Sequence, residues 1–184
     1  MNSCAGANSR GLIVWLTGLS GAGKSTLAAA VTEALGRDGV PAYWLDADNI
    51  RRGLNADLGF SPADRKENVR RIAEVARLFA DAGICAVVSC IAPFRADRQW
   101  VRERCNPHPF LLVYVRCPLT VCQARDPKGL YRRALRGDLP DFTGLHQPYE
   151  EPEDAECVVD TDRESVATST ARVLATIRGQ LNAC

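Results

Sequence analysis

Gly18-Leu19-Ser20-Gly21-Ala22-Gly23-Lys24-Ser25 fits the pattern G-x-x-x-x-G-K-[ST] at every fixed position. Leu12-Ile13-Val14-Trp15-Leu16 precedes it, a short apolar block that reads as a buried strand. Thr26 to Leu35 follows, made mostly of good helix formers. Strand, glycine-rich turn and helix is the context the motif requires. Glycines allow a tight turn that brings successive backbone N–H groups close to an anion. The helix beginning there adds unpaired N–H groups and the positive end of its dipole. Lys24 is placed to reach the β- and γ-phosphates, and the Ser25 hydroxyl to ligate Mg²⁺. A bland glycine turn before a surface lysine leaves the flanking strand and helix unexplained. The stretch predicts nucleoside triphosphate binding and leaves the fate of the phosphate open.

A chain of 184 residues reads as one domain, 1–184, with a substantial core. The formal net charge of +1 argues against a protein that coats nucleic acid or lies on a membrane surface. No apolar run is long enough to span a bilayer. Residues 1–10 are small and polar, lack the apolar segment of a signal peptide, and are expected to fray. There are eight cysteines but no C-x-x-C pair, and two histidines, so a zinc site is not expected. Cys85, Cys90, Cys117 and Cys157 sit in or beside apolar runs, where a thiol behaves as a small hydrophobe. A cytoplasmic location, where thiols stay reduced, is the simplest setting, with a regulatory disulfide as the less economical reading.

From the phosphate loop outward, the first helix is expected to stop at Gly36. Ala42-Tyr43-Trp44-Leu45 reads as a second strand that delivers Asp46-Ala47-Asp48 at its carboxyl end, where open α/β sheets bind ligands. Two acids opposite a phosphate loop suit a metal-water contact or a hydroxyl orienter. Asp48 or Asn49 equally suits a helix cap before Ile50-Arg51-Arg52. Asn55 to Phe60 reads as a loop. Ser61-Pro62-Ala63-Asp64 opens a helix running to Ala82, with Val69, Ile72, Ala73, Ala76 and Phe79 on its buried stripe. Arg65, Lys66, Asn68, Arg70 and Arg71 crowd its first turns, as a solvated face or as a clamp for an anionic second substrate. Ile84–Ile91 and Phe110–Val115 read as strands buried on both faces, with helices at 96–105 and 119–124. Arg125 to Tyr149 is polar, cationic at first, and punctuated by Tyr131, Phe142 and Tyr149. It reads as a lid that closes on nucleotide and substrate. Cys157–Asp160 is a last strand, and Ser165–Leu181 a last helix with Val166, Val173, Leu174, Ile177 and Leu181 on its apolar side. The alternation predicts a three-layer α/β/α sandwich with right-handed crossovers. Five parallel strands in the order 2-3-1-4-5 are the guess, an order that alternation by itself does not prove.

Several blocks carry a resemblance beyond the loop. Trp15 to Thr26, Leu54 to Ser61 with Asp64 to Arg71, Pro93 to Arg98, Arg125 to Tyr131, and Phe142-Thr143-Gly144 with Pro148-Tyr149-Glu150 resemble adenylylsulfate (APS) kinases. The likeness runs from about Gly11 to Thr161. It implies transfer of the γ-phosphoryl group of MgATP to the ribose 3′-hydroxyl of APS, giving ADP and 3′-phosphoadenylylsulfate (PAPS). By the same likeness, residues 18–26 and Arg125 bind ATP, with Ser25 on the metal. Asp46 or Asp48 orients or deprotonates the hydroxyl, or holds metal-bound water. Asp48, Arg51, Phe60, Arg65, Asn68, Ile91, Lys128, Leu130 and Phe142 hold APS, Phe60 and Phe142 sandwiching its adenine. Lys128 approaches the transferring phosphate. A homodimer is implied, and association with an ATP sulfurylase is compatible with it.

Two positions depart from the family pattern. Ala47 stands between the two acids where Gly is usual, which matters if that residue needs a positive φ. Ala92 stands where many members have a serine that in some can be phosphorylated, so no phosphoenzyme is expected there. Ala47 keeps open a kinase for another small hydroxyl substrate. A non-catalytic regulatory module is opposed by the intact Lys24, Ser25, Asp46, Asp48, Arg65 and Lys128. No Asn-Lys-x-Asp signature supports a GTPase.

Overall fold

The computed structural model describes residues 11–182. The expected fraying of residues 1–10 lies outside the described residues, as do Cys4, Cys184 and the Leu181 side chain. Five parallel strands form one sheet in the order β2-β3-β1-β4-β5, the guessed order. They are β1 (Ile13–Thr17), β2 (Ala42–Asp46), β3 (Cys85–Ser89), β4 (Phe110–Arg116) and β5 (Cys157–Asp160). The helices are α1 (Lys24–Arg37), α2 (Ala47–Ile50), α3 (Pro62–Asp81), α4 (Arg95–Cys105), α5 (Leu119–Arg125), α6 (Leu130–Leu135) and α7 (Val166–Asn182).

The period of two along β1 sets the layers. Leu12, Val14 and Leu16 join the core formed with Leu27, Val31 and Leu35 of α1 and Val173 and Ile177 of α7. Ile13 and Trp15 face the opposite core, with Val69, Ile72, Ala73 and Ala76 of α3 and Val101 of α4. A strand buried on both faces reads as an unbroken apolar run. Its neighbours are fixed in register, with Leu16 paired to Ser89 on one side and Val113 on the other.

The six described cysteines are buried and unpaired. Burial pushes the thiols of Cys85 and Cys105 up to about 12 and that of Cys90 up to about 11, so they stay protonated and pack as hydrophobes.

Several expectations need correction. Gly36 lies inside α1, and the chain turns instead at Gly39, φ +75°, where the Val40 N–H donates to Leu35 O at 2.9 Å. Asp46, not Asp48 or Asn49, caps α2, its Oδ1 accepting from the Asp48 N–H at 3.0 Å. Phe79 is only half-buried and stacks on Tyr43 with ring centroids 4.9 Å apart. Val166 is exposed on the cleft side of α7 rather than in the core. The 125–149 segment carries more core than its polarity suggests, since Tyr131, Ala134 and Phe142 are buried members of the α1–α7 core.

Candidate active site

The carboxyl ends of β1, β2, β3 and β5 open onto one cleft of about 1480 Å³. Right-handed α/β packing puts all strand ends on one edge, so residues far apart in sequence converge there. The phosphate loop contributes Ser20, Gly21, Gly23, Lys24, Ser25 and Thr26 to its lining. Gly21 takes φ +77°, and a Cβ there would meet the Cys122 carbonyl oxygen at 3.0 Å, so the turn needs glycine. Of the other loop residues, Gly18 packs against the Val115 carbonyl, Ala22 is core, and Leu19 lines a separate small cavity.

Lys24 Nζ donates to the carbonyls of Gly18 and Leu19 at 2.9 and 2.8 Å. Desolvation lowers its pKa to about 8, against the pull of Asp48 across the cleft. Asp46 and Asp48 line the cleft from the end of β2. Lys128 reaches over from the segment before α6 and donates to Asp48 Oδ2. The side chain of Asp126 holds that segment by accepting from the N–H groups of Tyr131 and Arg132, both at 3.1 Å. The Ser25 hydroxyl makes no hydrogen bond among the described residues. With the two carboxylates opposite, it offers the hard oxygen donors that suit Mg²⁺.

The cationic start of α3 divides in two. Arg71 is a surface residue, forked onto Asp57 at 2.7 and 2.8 Å and bonded to Glu67 at 2.9 Å. Arg70 likewise forks onto Glu67. Of Arg65, Lys66, Asn68, Arg70 and Arg71, it is Arg65 and Asn68 that line the cleft. Arg65 is a brace as much as a clamp. Its Nε donates to Phe60 O at 2.9 Å, Nη1 to Thr143 Oγ1 at 2.8 Å and Nη2 to Asp141 O at 2.7 Å. It thereby ties α3 to the 141–143 stretch. Arg51 lies over the Phe60 ring, 4.7 Å from its centroid. Ile91, Leu130, Arg125 and Phe142 complete the expected lining. Arg125 is fixed by a 2.6 Å bond to Thr161 O.

Sequence reading missed Thr161, Arg133, Asp141, Thr143, Glu164 and Ser169, which also line the cleft. Thr161 follows β5, so the strand-end rule that picked out Asp46 applies to it as well. The others depend on how the 125–149 segment and α7 fold back.

Ala47 begins α2 and has no positive φ, so the site needs no glycine there. Ala47→Gly should lower stability by about 0.5–1 kcal/mol and leave turnover within about twofold, readable as a paired thermal melt and rate measurement. Of the two departures it is Ala92 that, like Asp126 and Asp141, takes a positive φ, +39°. Its carbonyl is held by buried Arg98 Nη1 at 2.9 Å, which offsets a strain of about 1–3 kcal/mol.

A parallel sheet in this order, a phosphate loop after the first strand and acids at the end of the second define a P-loop kinase. The sequence model of the adenylylsulphate kinase family matches residues 10–160. An adenylyl-sulfate kinase from Geotalea uraniireducens is 56% identical over 165 residues, 90% of this chain and 79% of that protein. A probable adenylyl-sulfate kinase from Halalkalibacterium halodurans is 54% identical, covering 91% of this chain and 83% of its own length. The structure of a Mycobacterium tuberculosis APS kinase in complex with AMPPNP and APS superposes with a TM-score of 0.90 at 42% identity, over 93% of this chain and 99% of that one. The chain belongs to the adenylylsulphate kinase family and is an ATP-dependent adenylyl-sulfate kinase.

Proposed function

We propose that the chain moves the γ-phosphoryl group of ATP onto the 3′-hydroxyl of adenosine 5′-phosphosulfate, releasing ADP and PAPS. The observation that carries this reading is that one cleft is lined by the phosphate loop, by Asp46 and Asp48, and by Phe60, Arg65, Asn68 and Phe142. The loop amides, Lys24, Thr26 and Arg125 hold ATP. Ser25 and Asp46 would hold Mg²⁺, and the ion would supply charge neutralisation at the phosphates. Asp48 accepts the hydroxyl proton, and Lys128 leaves Asp48 to meet the transferring phosphate. Arg51, Asn68, Ile91 and Leu130 bound the acceptor, whose adenine fits between Phe60 and Phe142. In a loose transition state, positioning and charge stabilisation carry most of the acceleration.

The 125–149 segment acts as the lid of a single kinase domain. A cytoplasmic homodimer, free to associate with an ATP sulfurylase, is the setting the family resemblance supports. Among the described residues no helix is long and apolar enough to cross a membrane.

Coupled measurement of ADP release from MgATP, with and without APS, tests the reading. APS-dependent release with PAPS identified by mass is expected; ATP binding without APS-dependent release would overturn it. Arg65→Ala should raise KM for APS by at least about tenfold with a smaller effect on kcat, because three bonds that shape the acceptor side are lost together. Unchanged APS kinetics would take Arg65 out of this role.

A further inference from the structure

One buried side chain touches both halves of the cleft. Tyr131, on α6, is 1% exposed, and its hydroxyl donates to the carbonyl oxygen of Ser20 at 3.0 Å. Ser20 O and the Gly21 N–H are opposite ends of one planar peptide. Holding the oxygen therefore aims that N–H the other way. Gly21 lines the cleft as part of the phosphate loop, so its amide direction matters for phosphate binding.

The ring of Tyr131 meets Phe142 edge to face, with centroids 5.0 Å apart and planes at 79°. Phe142 sits between Asp141 and Thr143, the two residues that Arg65 ties to α3 and to Phe60. A continuous line of contacts thus runs from a phosphate-loop peptide through Tyr131 and Phe142 to the acceptor side. Packed side chains and hydrogen bonds of this kind carry coupling when two ligands bias the same element. A buried tyrosine hydroxyl needs some partner. Here the partner is a loop carbonyl that a ligand on the neighbouring amide would stiffen.

We propose that Tyr131 is a positioning residue that couples occupancy of the phosphate loop to binding in the acceptor pocket against Phe142. The inference rests on the assignment of ATP and APS to the two halves of the cleft. Bound triphosphate fixes the Ser20–Gly21 peptide, that peptide fixes the Tyr131 ring, and the ring fixes the face Phe142 presents to the acceptor base. By linkage, the acceptor tightens the nucleotide by the same factor.

The test is calorimetric, on the full chain. The Kd for APS is measured alone and with saturating AMPPNP and Mg²⁺, in wild type and in Tyr131→Phe, which keeps the ring and removes only the hydroxyl. Wild type should bind APS about fivefold tighter with AMPPNP present, and Tyr131→Phe should show a ratio close to one, the loss expected for a single hydrogen bond. Thermal melting of both proteins checks that the fold is kept. Phe142→Leu, which leaves the hydroxyl bond in place, should abolish the same ratio and serves if Tyr131→Phe is poorly folded. Equal ratios in wild type and both variants, including a ratio of one in wild type, would overturn the coupling. Failure of wild type to bind APS under any condition would instead overturn the assignment of the acceptor.

Discussion

Lys24→Ala should lower kcat/KM for ATP by about two to three orders of magnitude, the scale of removing one preorganised donor from developing charge. The side chain starts at the first residue of α1 and bends back over the loop to Gly18 and Leu19. No other described side chain enters the cleft from within the phosphate loop with a positive charge. The variant should not melt lower on electrostatic grounds. Burial lowers the lysine pKa to about 8 in the folded protein, so its protonated form is a cost to stability below that pH, and the cost fades as pH rises through 8. The same shift sets a pH dependence. In the proposed role it is the charged amine that binds phosphate, so kcat/KM for ATP, which reports the free enzyme, should fall about tenfold per pH unit above about 8. A flat profile to pH 10, or a loss below threefold in Lys24→Ala, would remove Lys24 from charge stabilisation.

Asp48→Asn should cost about 10²–10⁴ in kcat with a much smaller change in KM for ATP. Two functions go with the one charge: the proposed acceptance of the hydroxyl proton and the hold on Lys128. The substitution keeps shape. It also spares the start of α2, because Asp48 enters that cap through its backbone N–H. Asp46→Asn is the comparison that separates the proposed metal role from proton acceptance, since asparagine caps a helix as well as aspartate does. It removes a carboxylate two residues away without touching Lys128. A kcat for Asp48→Asn within threefold of wild type would exclude Asp48 from the transfer step.

Much of this site is legible in the chain because its chemistry is local. The loop from Gly18 to Ser25 and the pair Asp46 and Asp48 are contiguous, and each follows an apolar strand whose end faces ligands. A parallel three-layer sheet followed from the alternation of elements; the order 2-3-1-4-5 did not, since other orders alternate in the same way. The bracing bonds of Arg65 and the hydroxyl bond of Tyr131 were hidden because their partners are Asp141, Thr143 and Ser20, far along the chain. Periodicity assigns a face to a helical residue; it does not name what the side chain meets across a cleft. The same limit applies to Arg70 and Arg71, whose proximity to Arg65 in sequence suggested a shared role until Glu67 and Asp57 were seen to occupy them. Gly36 and Val166 were misread for simpler reasons. A glycine with open space around it can sit inside a helix, and an apolar residue on the first turn of α7 can face a ligand cleft.

The central place of β1 has a kinetic consequence. Its two partners are β3, beginning at residue 85, and β4, beginning at residue 110. During synthesis this fully buried strand leaves the ribosome before both partners, and its first neighbour begins only at residue 85. Long-range parallel pairing of this kind folds slowly, because loop-closure entropy is spent before the contacts form. Until β4 emerges, the strand that anchors the phosphate loop keeps one edge unpaired, which leaves the nascent chain open to aggregation.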